Sequence, residues 1–290
     1  MQVDWRHTGE PVSMKHFLTQ HGISMRLIKA IKHGEGQFIV NQRVQTGVIT
    51  VNAGEVAGIR LPDEAADPTV AVSTGPIAVI YADENWLVVN KPAGLTSVPG
   101  PSNRTDTLVN RVKGYLLATH AANQKPHLIT RLDRDTSGLV LIAKHRIAQS
   151  MLTFAPIQAT LTKTYLAWVS GQLTPATGTI ALPIGREGAS PKRMVMTSGQ
   201  PAVTKYWVLQ TTAKMTQVKL QLVTGRTHQI RVHLTALGHP LLGDVLYGGD
   251  QTLIDRQALH AATLAFQDPF SDQRLTFTAP LPPELQKLRF

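Results

Sequence analysis

The sequence predicts an α+β fold: a large, mainly antiparallel sheet flanked by helices and loops, preceded by a small α+β module. Three observations predict it. Apolar runs of strand length recur after residue 76, bounded by turn-forming residues. Only two segments of that region carry a helical pattern. A stretch rich in acid and proline separates it from what precedes.

The front module is expected over residues 12–60. Ser24 is placed to cap a helix running to about residue 32, because its hydroxyl can accept from the free amides of the first turn. Leu27, Ile28 and Ile31 fall on one face of that helix, and Arg26, Lys29 and Lys32 on another. Gly34 and Gly36 end it. Residues 37–40 and 48–51 read as short strands, with Asn41-Gln42 as the turn between them. Residues 61–75 hold Asp63, Glu64, Asp67 and two prolines without a period, which reads as a linker.

The main domain is expected over 76–290. Residues 77–81 and 86–90 are strand-like around the turn Asp83-Glu84-Asn85. A helix follows over 107–118, capped by Asp106 or Thr107. Strands are expected at 139–143, 164–169, 202–209, 218–223 and 275–277, and a second helix, with Thr227 as its cap, over 227–237.

Composition bounds the function. At 290 residues with 42% apolar content the chain can bury a real core. The 29 Lys and Arg against 19 Asp and Glu leave a formal charge of +10, which suits a polyanionic partner. There is no Cys, which excludes disulfides and thiolate metal sites. The first residues lack a signal-peptide core, and the longest apolar runs, such as 139–143, are too short to span a bilayer. A cytoplasmic protein without a membrane partner is expected, acting as a monomer.

Four segments could carry chemistry. Residues 131–138 pack Arg131, Asp133, Arg134 and Asp135 ahead of the turn Thr136-Ser137-Gly138 and a buried strand, where a carboxylate can be held rigidly. Alone, this reads as a loop of surface ion pairs. Residues 223–233 bring Arg226 to a helix entrance and Arg231 one turn inside. His228 and His233 there are five apart, not the four that puts two metal ligands on one face, so a His paired with backbone or phosphate is the better reading. Residues 90–100 leave a strand and turn at Pro92 and Gly94 without the Gly-Lys-Ser/Thr of a phosphate loop. Residues 163–171 are a strand with Tyr165 on one face, where an aromatic is ordinarily packing.

Taken in order, Asn90-Lys91-Pro92-Ala93-Gly94, Arg131-Leu132-Asp133-x-x-Thr136-Ser137-Gly138, Lys163-x-Tyr165 and Gly225-Arg226-Thr227-His228-Gln229-Ile230-Arg231-Val232-His233 resemble the signature of the RluA-type pseudouridine synthases. Pro183-Ile184-Gly185-Arg186, Gln257-Ala258-Leu259-His260 and Ala279-Pro280-Leu281-Pro282 are similar to the same family, so the resemblance runs from about residue 76 to 288. The front module more loosely resembles the small RNA-binding domain of the ribosomal S-four type, through its helix pair, the Val40-Asn41 turn and Gly54-Glu55-Val56.

The resemblance implies isomerisation of uridine to pseudouridine in structured RNA with no cofactor or metal. It implies large-subunit ribosomal RNA first and transfer RNA second. Asp133 matches the essential aspartate, and Asp135 falls on an unassigned position. Cleaving the glycosidic bond builds positive character on the sugar, and an adjacent anion can attack it or take a proton from it. Arg231 matches a buried arginine that pairs with the aspartate, fixing its rotamer. Tyr165 matches the tyrosine that packs on the uracil, and Ile230 an apolar residue that closes the pocket. Arg131 matches the side chain that fills the space of an extruded base. Lys91, Arg226 and His228 are expected at the RNA, as are Arg26, Lys29 and Lys32 if the front module binds phosphates. Thr130 departs from the His that many relatives carry, which bears on substrate contacts. Competing readings are a non-catalytic RNA-binding or ribosome-assembly protein, disfavoured by Asp133, Tyr165 and Arg231 occurring together, and a His-based metallohydrolase, which lacks a ligand set.

Overall fold

Two large sheets and two two-stranded ribbons carry the chain in this computed structural model, which describes residues 1–288. Arg289 and Phe290, the last residues of the expected 76–290 domain, lie outside the described residues. The first sheet has four strands in the order Gln2–Arg6, Val56–Arg60, Gln37–Val40 and Arg43–Gln45. Helices Met14–Gln20 and Met25–Ala30 pack on it.

The front sheet differs from the sequence reading at two points. It takes in Gln2–Arg6, which the residue-12 boundary left out, because Val3 and Trp5 turn toward its core. And the strand after Asn41-Gln42 is Arg43–Gln45, whereas Thr50–Val51 pairs with Val12–Ser13. Asn41 and Gln42 both have positive φ, 47° and 67°, the geometry of a tight two-residue hairpin, so the next residues must pair at once.

Ser24 does cap the second helix, accepting the Leu27 amide at 3.3 Å. Leu27, Ile28 and Ile31 are buried, and Arg26, Lys29 and Lys32 are exposed.

The second sheet has ten strands. Eight lie in the order Thr177–Ile180, Thr204–Thr211, Met215–Leu222, Thr162–Ser170, Leu259–Gln267, Ser137–Ala143, Trp86–Lys91 and Ala78–Ala82. Arg274–Thr278 and His127–Leu128 attach beside this path. All pairings are antiparallel except Ser137–Ala143 with Leu259–Gln267. Ser137–Ala143 is buried at every residue, as its unbroken apolar run requires. Helix Leu108–Ala118 packs on one face through Leu108, Val112 and Leu116. Its cap is Thr107, in a box where the Asn110 side chain accepts the Thr107 amide at 2.9 Å. No helix among the described residues is long and apolar enough to cross a membrane.

Residues 61–75 are a pinned strap rather than a free tether. Lys113 Nζ donates to the carbonyls of Asp67 and Val70 at 2.7 and 2.5 Å, and Asn110 Nδ2 donates to Ala71 O at 2.8 Å. The strap crosses so closely that a Cβ at Gly114 would run into the Ser73 carbonyl, so only glycine fits mid-helix there.

The front module sits on helix Arg146–Thr153. Ile147 and Met151 are buried in the module's own core. Side chains of this size each contribute roughly 1.5–3 kcal/mol when fully buried. Ser150 Oγ accepts the Ser24 amide (2.7 Å) and donates to Gly22 O (3.0 Å), while Arg146 pairs with Glu35 at 2.7 Å. Glu64 accepts from His127 Nε2 and from the Arg146 amide.

Candidate active site

The loop 131–136 leads into strand Ser137–Ala143 at the end where that strand pairs with Leu259–Gln267. Parallel pairing there is limited to Ser137 with His260 and Gly138 with Ala261. Gly138 has φ of 114°, and a Cβ would overlap the Ala261 backbone, so this position needs glycine. Ser97 then fixes the loop from the other side. Its hydroxyl donates to Leu132 O at 2.6 Å and accepts the Leu132 amide at 3.1 Å, so one side chain replaces a strand partner beside Asp133.

Lys91 belongs to this scaffold and not to the RNA surface where the sequence placed it. It is fully buried, and Nζ donates to the carbonyls of Pro92, Leu95 and Arg134 at 2.8, 2.8 and 2.9 Å. Three hydrogens meet three acceptors, leaving none for a ligand. Burial pushes its ammonium down to about 7, opposed by the carboxylates of Asp135 and Asp133.

Arg231 comes in on helix Gln229–Ala236. Its Nη1 donates to Asp133 Oδ2 at 3.1 Å. Its Nε and Nη2 donate to Asp244 at 2.7 and 2.8 Å, a bidentate fork on a carboxylate with no exposure. Asp244 therefore holds the guanidinium, and Asp133 receives only its remaining edge. Asp133 keeps 27% side-chain exposure, while Asp135 is engaged by the solvent-facing Arg134 at 3.0 Å.

The helix does not start at Thr227. His228 is its N-terminal flank, in the left-handed region with φ of 56° and no side-chain cap. The Gln229 side chain instead folds back on the approaching chain: its Oε1 accepts the Arg226 amide (2.9 Å) and the Thr224 hydroxyl (2.8 Å). A non-glycine residue held at positive φ stores strain that its surroundings must enforce. Here the effect is to turn the His228 ring toward Asp133, with Nε2 3.9 Å from Oδ2. His233, by contrast, is buried between Thr204 Oγ1 and Leu182 O, both at 2.9 Å, and is structural.

These residues surround an open cavity of about 510 Å³. Arg131, Asp133, Tyr165, Arg226, His228 and Ile230 all line it. Arg231 stands behind Asp133. Lys91 is walled off, and Arg26, Lys29 and Lys32 lie on the front module. Tyr165 is buried in strand Thr162–Ser170, and burial together with Asp133 raises its pKa, so the phenol keeps its proton. Lys163 also lines the cavity, its ammonium pushed down by burial. Thr130 lies in the wall, but its hydroxyl faces inward and accepts the Leu141 amide at 2.9 Å.

Sequence reasoning missed Asp244, Tyr247 and Ser97. The first two share the turn Gly243-Asp244-Val245-Leu246-Tyr247-Gly248-Gly249, whose Gly243 and Gly248 have φ of 72° and 80°. The acid and aromatic between such glycines were the available signal.

The family described as RNA pseudouridylate synthase matches residues 85–236, which span the Asp133 loop, Tyr165 and Arg231. The chain belongs to this family. RNA pseudouridine synthases are RNA-modifying isomerases, and similarity to individual members extends beyond the matched region. The uncharacterized RNA pseudouridine synthase YjbO of Bacillus subtilis is 40% identical over 278 residues, covering 96% of this chain and 98% of that one. The ribosomal large subunit pseudouridine synthase D of Vibrio parahaemolyticus is 37% identical over 227 residues, 72% of this chain and 69% of that one. Among solved structures, human RNA pseudouridylate synthase domain containing 1 superposes with a TM-score of 0.59 at 27% identity, covering 73% of this chain and 87% of that chain.

Proposed function

We propose that this pseudouridine synthase converts uridine to pseudouridine in large-subunit ribosomal RNA, with Asp133 as the acting carboxylate. One observation carries the reading. Asp133 sits in the cavity wall with a single Arg231 contact, because Asp244 saturates the other edge of that guanidinium. A carboxylate so held has a fixed rotamer and free lone pairs facing the cavity.

As the bond between C1′ and uracil N1 breaks, positive character grows on the sugar. Asp133 stabilises it by attack or by taking a sugar proton. The uracil turns, C5 joins C1′, and the C5 hydrogen leaves as a proton. Tyr165 supplies the ring on which the uracil packs. Since its phenol stays protonated, it is not a standing base at neutral pH. Ile230 closes the cavity. Extruding a paired base costs a few kcal/mol of unstacking, and Arg131, exposed at the rim, is placed to fill the vacated space. The Vibrio relative's name and the exposed cations Arg26, Lys29 and Lys32 support ribosomal RNA as substrate.

Asp133→Asn is expected to abolish pseudouridine formation while RNA affinity stays within about threefold, since one side chain among many contacts is changed. Full activity would remove Asp133 from the mechanism. Mapping pseudouridines in total RNA from cells with and without the gene should show losses in large-subunit ribosomal RNA. Losses confined to transfer RNA would overturn the substrate assignment.

A further inference from the structure

Tyr247 does not line the cavity, yet it touches two groups that act there. It sits at the end of the turn Val245–Tyr247, 6% exposed. The Arg231 guanidinium lies 4.9 Å from its ring centroid, a cation–π distance. The His228 ring meets it edge-on, at 5.8 Å and 89°. Its hydroxyl accepts the Arg193 amide at 2.9 Å, and lies 3.0 Å from His228 Nδ1 and 3.1 Å from Arg193 O.

A phenol has one hydrogen, and here it has two candidate acceptors. The choice fixes the imidazole. If the hydrogen goes to Arg193 O, a neutral His228 must carry its own hydrogen on Nδ1, and the bare Nε2 lone pair then points at the Asp133 carboxylate 3.9 Å away. That arrangement sets a lone pair against an anion. If the hydrogen goes to Nδ1, Nε2 carries N–H toward Asp133, and the dipole is favourable. Burial pushes His228 below its ordinary pKa, with Asp133 and Asp244 opposing and Arg231 and Arg193 reinforcing, which favours the neutral ring. Lys192, 5.3 Å over the Tyr247 ring, adds another nearby cation.

We propose that Tyr247 is a positioning residue that sets the His228 tautomer, presenting Nε2–H as a donor beside Asp133 while its ring seats the Arg231 guanidinium. At 3.9 Å the Nε2–H is too far from Asp133 for a hydrogen bond of its own. It is therefore available to an oxygen of the bound uridine. The proposal rests on the reading of Asp133 as the acting carboxylate.

The test is Tyr247→Phe in the full chain, which keeps the ring and removes the hydroxyl. Two quantities are read: the His228 tautomer, from nitrogen-15 imidazole shifts, and the single-turnover rate with RNA affinity measured beside it. Wild type is expected to show Nε2–H. In Tyr247→Phe Nδ1 loses the donor that holds the ring in one tautomer, so an Nδ1–H population should appear beside Nε2–H, with the rate lowered about tenfold, the weight of one hydrogen bond, at unchanged affinity. Tyr247→Leu should lower it further, because the seat under Arg231 goes as well. An unchanged tautomer in Tyr247→Phe overturns the proposal whatever the rate, and so does a wild-type rate. Asp133→Asn separates the two readings: its full activity would defeat the site assignment and leave the tautomer result standing.

Discussion

Asp244 invites the most demanding test, because the geometry gives it, and not Asp133, the firm hold on Arg231. Asp244→Asn keeps the shape and removes the charge. The amide oxygen can still accept one of the two bonds at 2.7 and 2.8 Å, but its NH₂ then faces a guanidinium N–H, donor against donor. Breaking a buried pair costs roughly 3–5 kcal/mol, and the remaining Asp133 contact places this case at the low end, about 3 kcal/mol. At roughly 2–4 °C per kcal/mol for a chain of this size, the thermal midpoint should fall by about 6–12 °C. On the proposed role of Asp133, activity should fall at least tenfold, because the freed guanidinium edge can swing to Asp133 and occupy the lone pairs that role requires. Denaturant and thermal unfolding of Asp244→Asn, Arg231→Met and the double variant close a cycle. The double variant should be more stable than Arg231→Met, since that single change strands a buried carboxylate. Equal loss from Asp244→Asn with and without Arg231 would refute the coupling.

Two further perturbations follow from the charges. His145 caps helix Arg146–Thr153 through Nδ1, which accepts the Ala148 amide at 3.1 Å, and Nε2 bonds Asn85 Oδ1 at 3.0 Å, so the ring must be neutral. Burial lowers its pKa to about 4 from the ordinary 6.5. The unfolded chain therefore takes up the proton first. The stability held above about pH 6.5 is lost as pH falls toward 4, about 3 kcal/mol in all. Urea unfolding across this range should show the slope in wild type and a smaller one in His145→Asn; equal slopes would remove His145 as the cause. Changing Arg26, Lys29 and Lys32 together to Gln should flatten the dependence of log affinity on log salt by about 2–3 and leave the rate at saturating RNA intact. An unchanged slope would place the RNA elsewhere.

Much of the fold was legible because local chemistry and burial agree there. The apolar runs at 86–90 and 139–143 are interior strands, and Ser24 and Thr107 cap the helices they precede. What escaped depended on partners distant in sequence. Gln2–Arg6 is a strand only because Val56–Arg60 returns beside it. Thr227 has the chemistry of a cap, but the Gln229 side chain takes the amide of Arg226 and His228 becomes the flank. Lys91 looked like an RNA cation because charge is visible in a sequence and enclosure is not. Asp133, Tyr165, His228 and Ile230 meet around one cavity, since the loop, strand and helix that carry them converge there. The second carboxylate on Arg231, which changes what the first is free to do, is a tertiary contact across 13 residues.

The seat of the front module on Ile147 and Met151 has a geometric consequence. With a shared core, an ion pair and a pinned strap between them, the two parts can swing independently only by breaking those contacts. On the proposed reading, in which the Arg26–Lys29–Lys32 face takes phosphates and Asp133 the uridine, these contacts set the span from one to the other, and the protein would work as a caliper. On that reading, an RNA that offers phosphates and a flippable uridine at that separation would engage both jaws without further ordering of the chain, and one with a different spacing would give up one jaw.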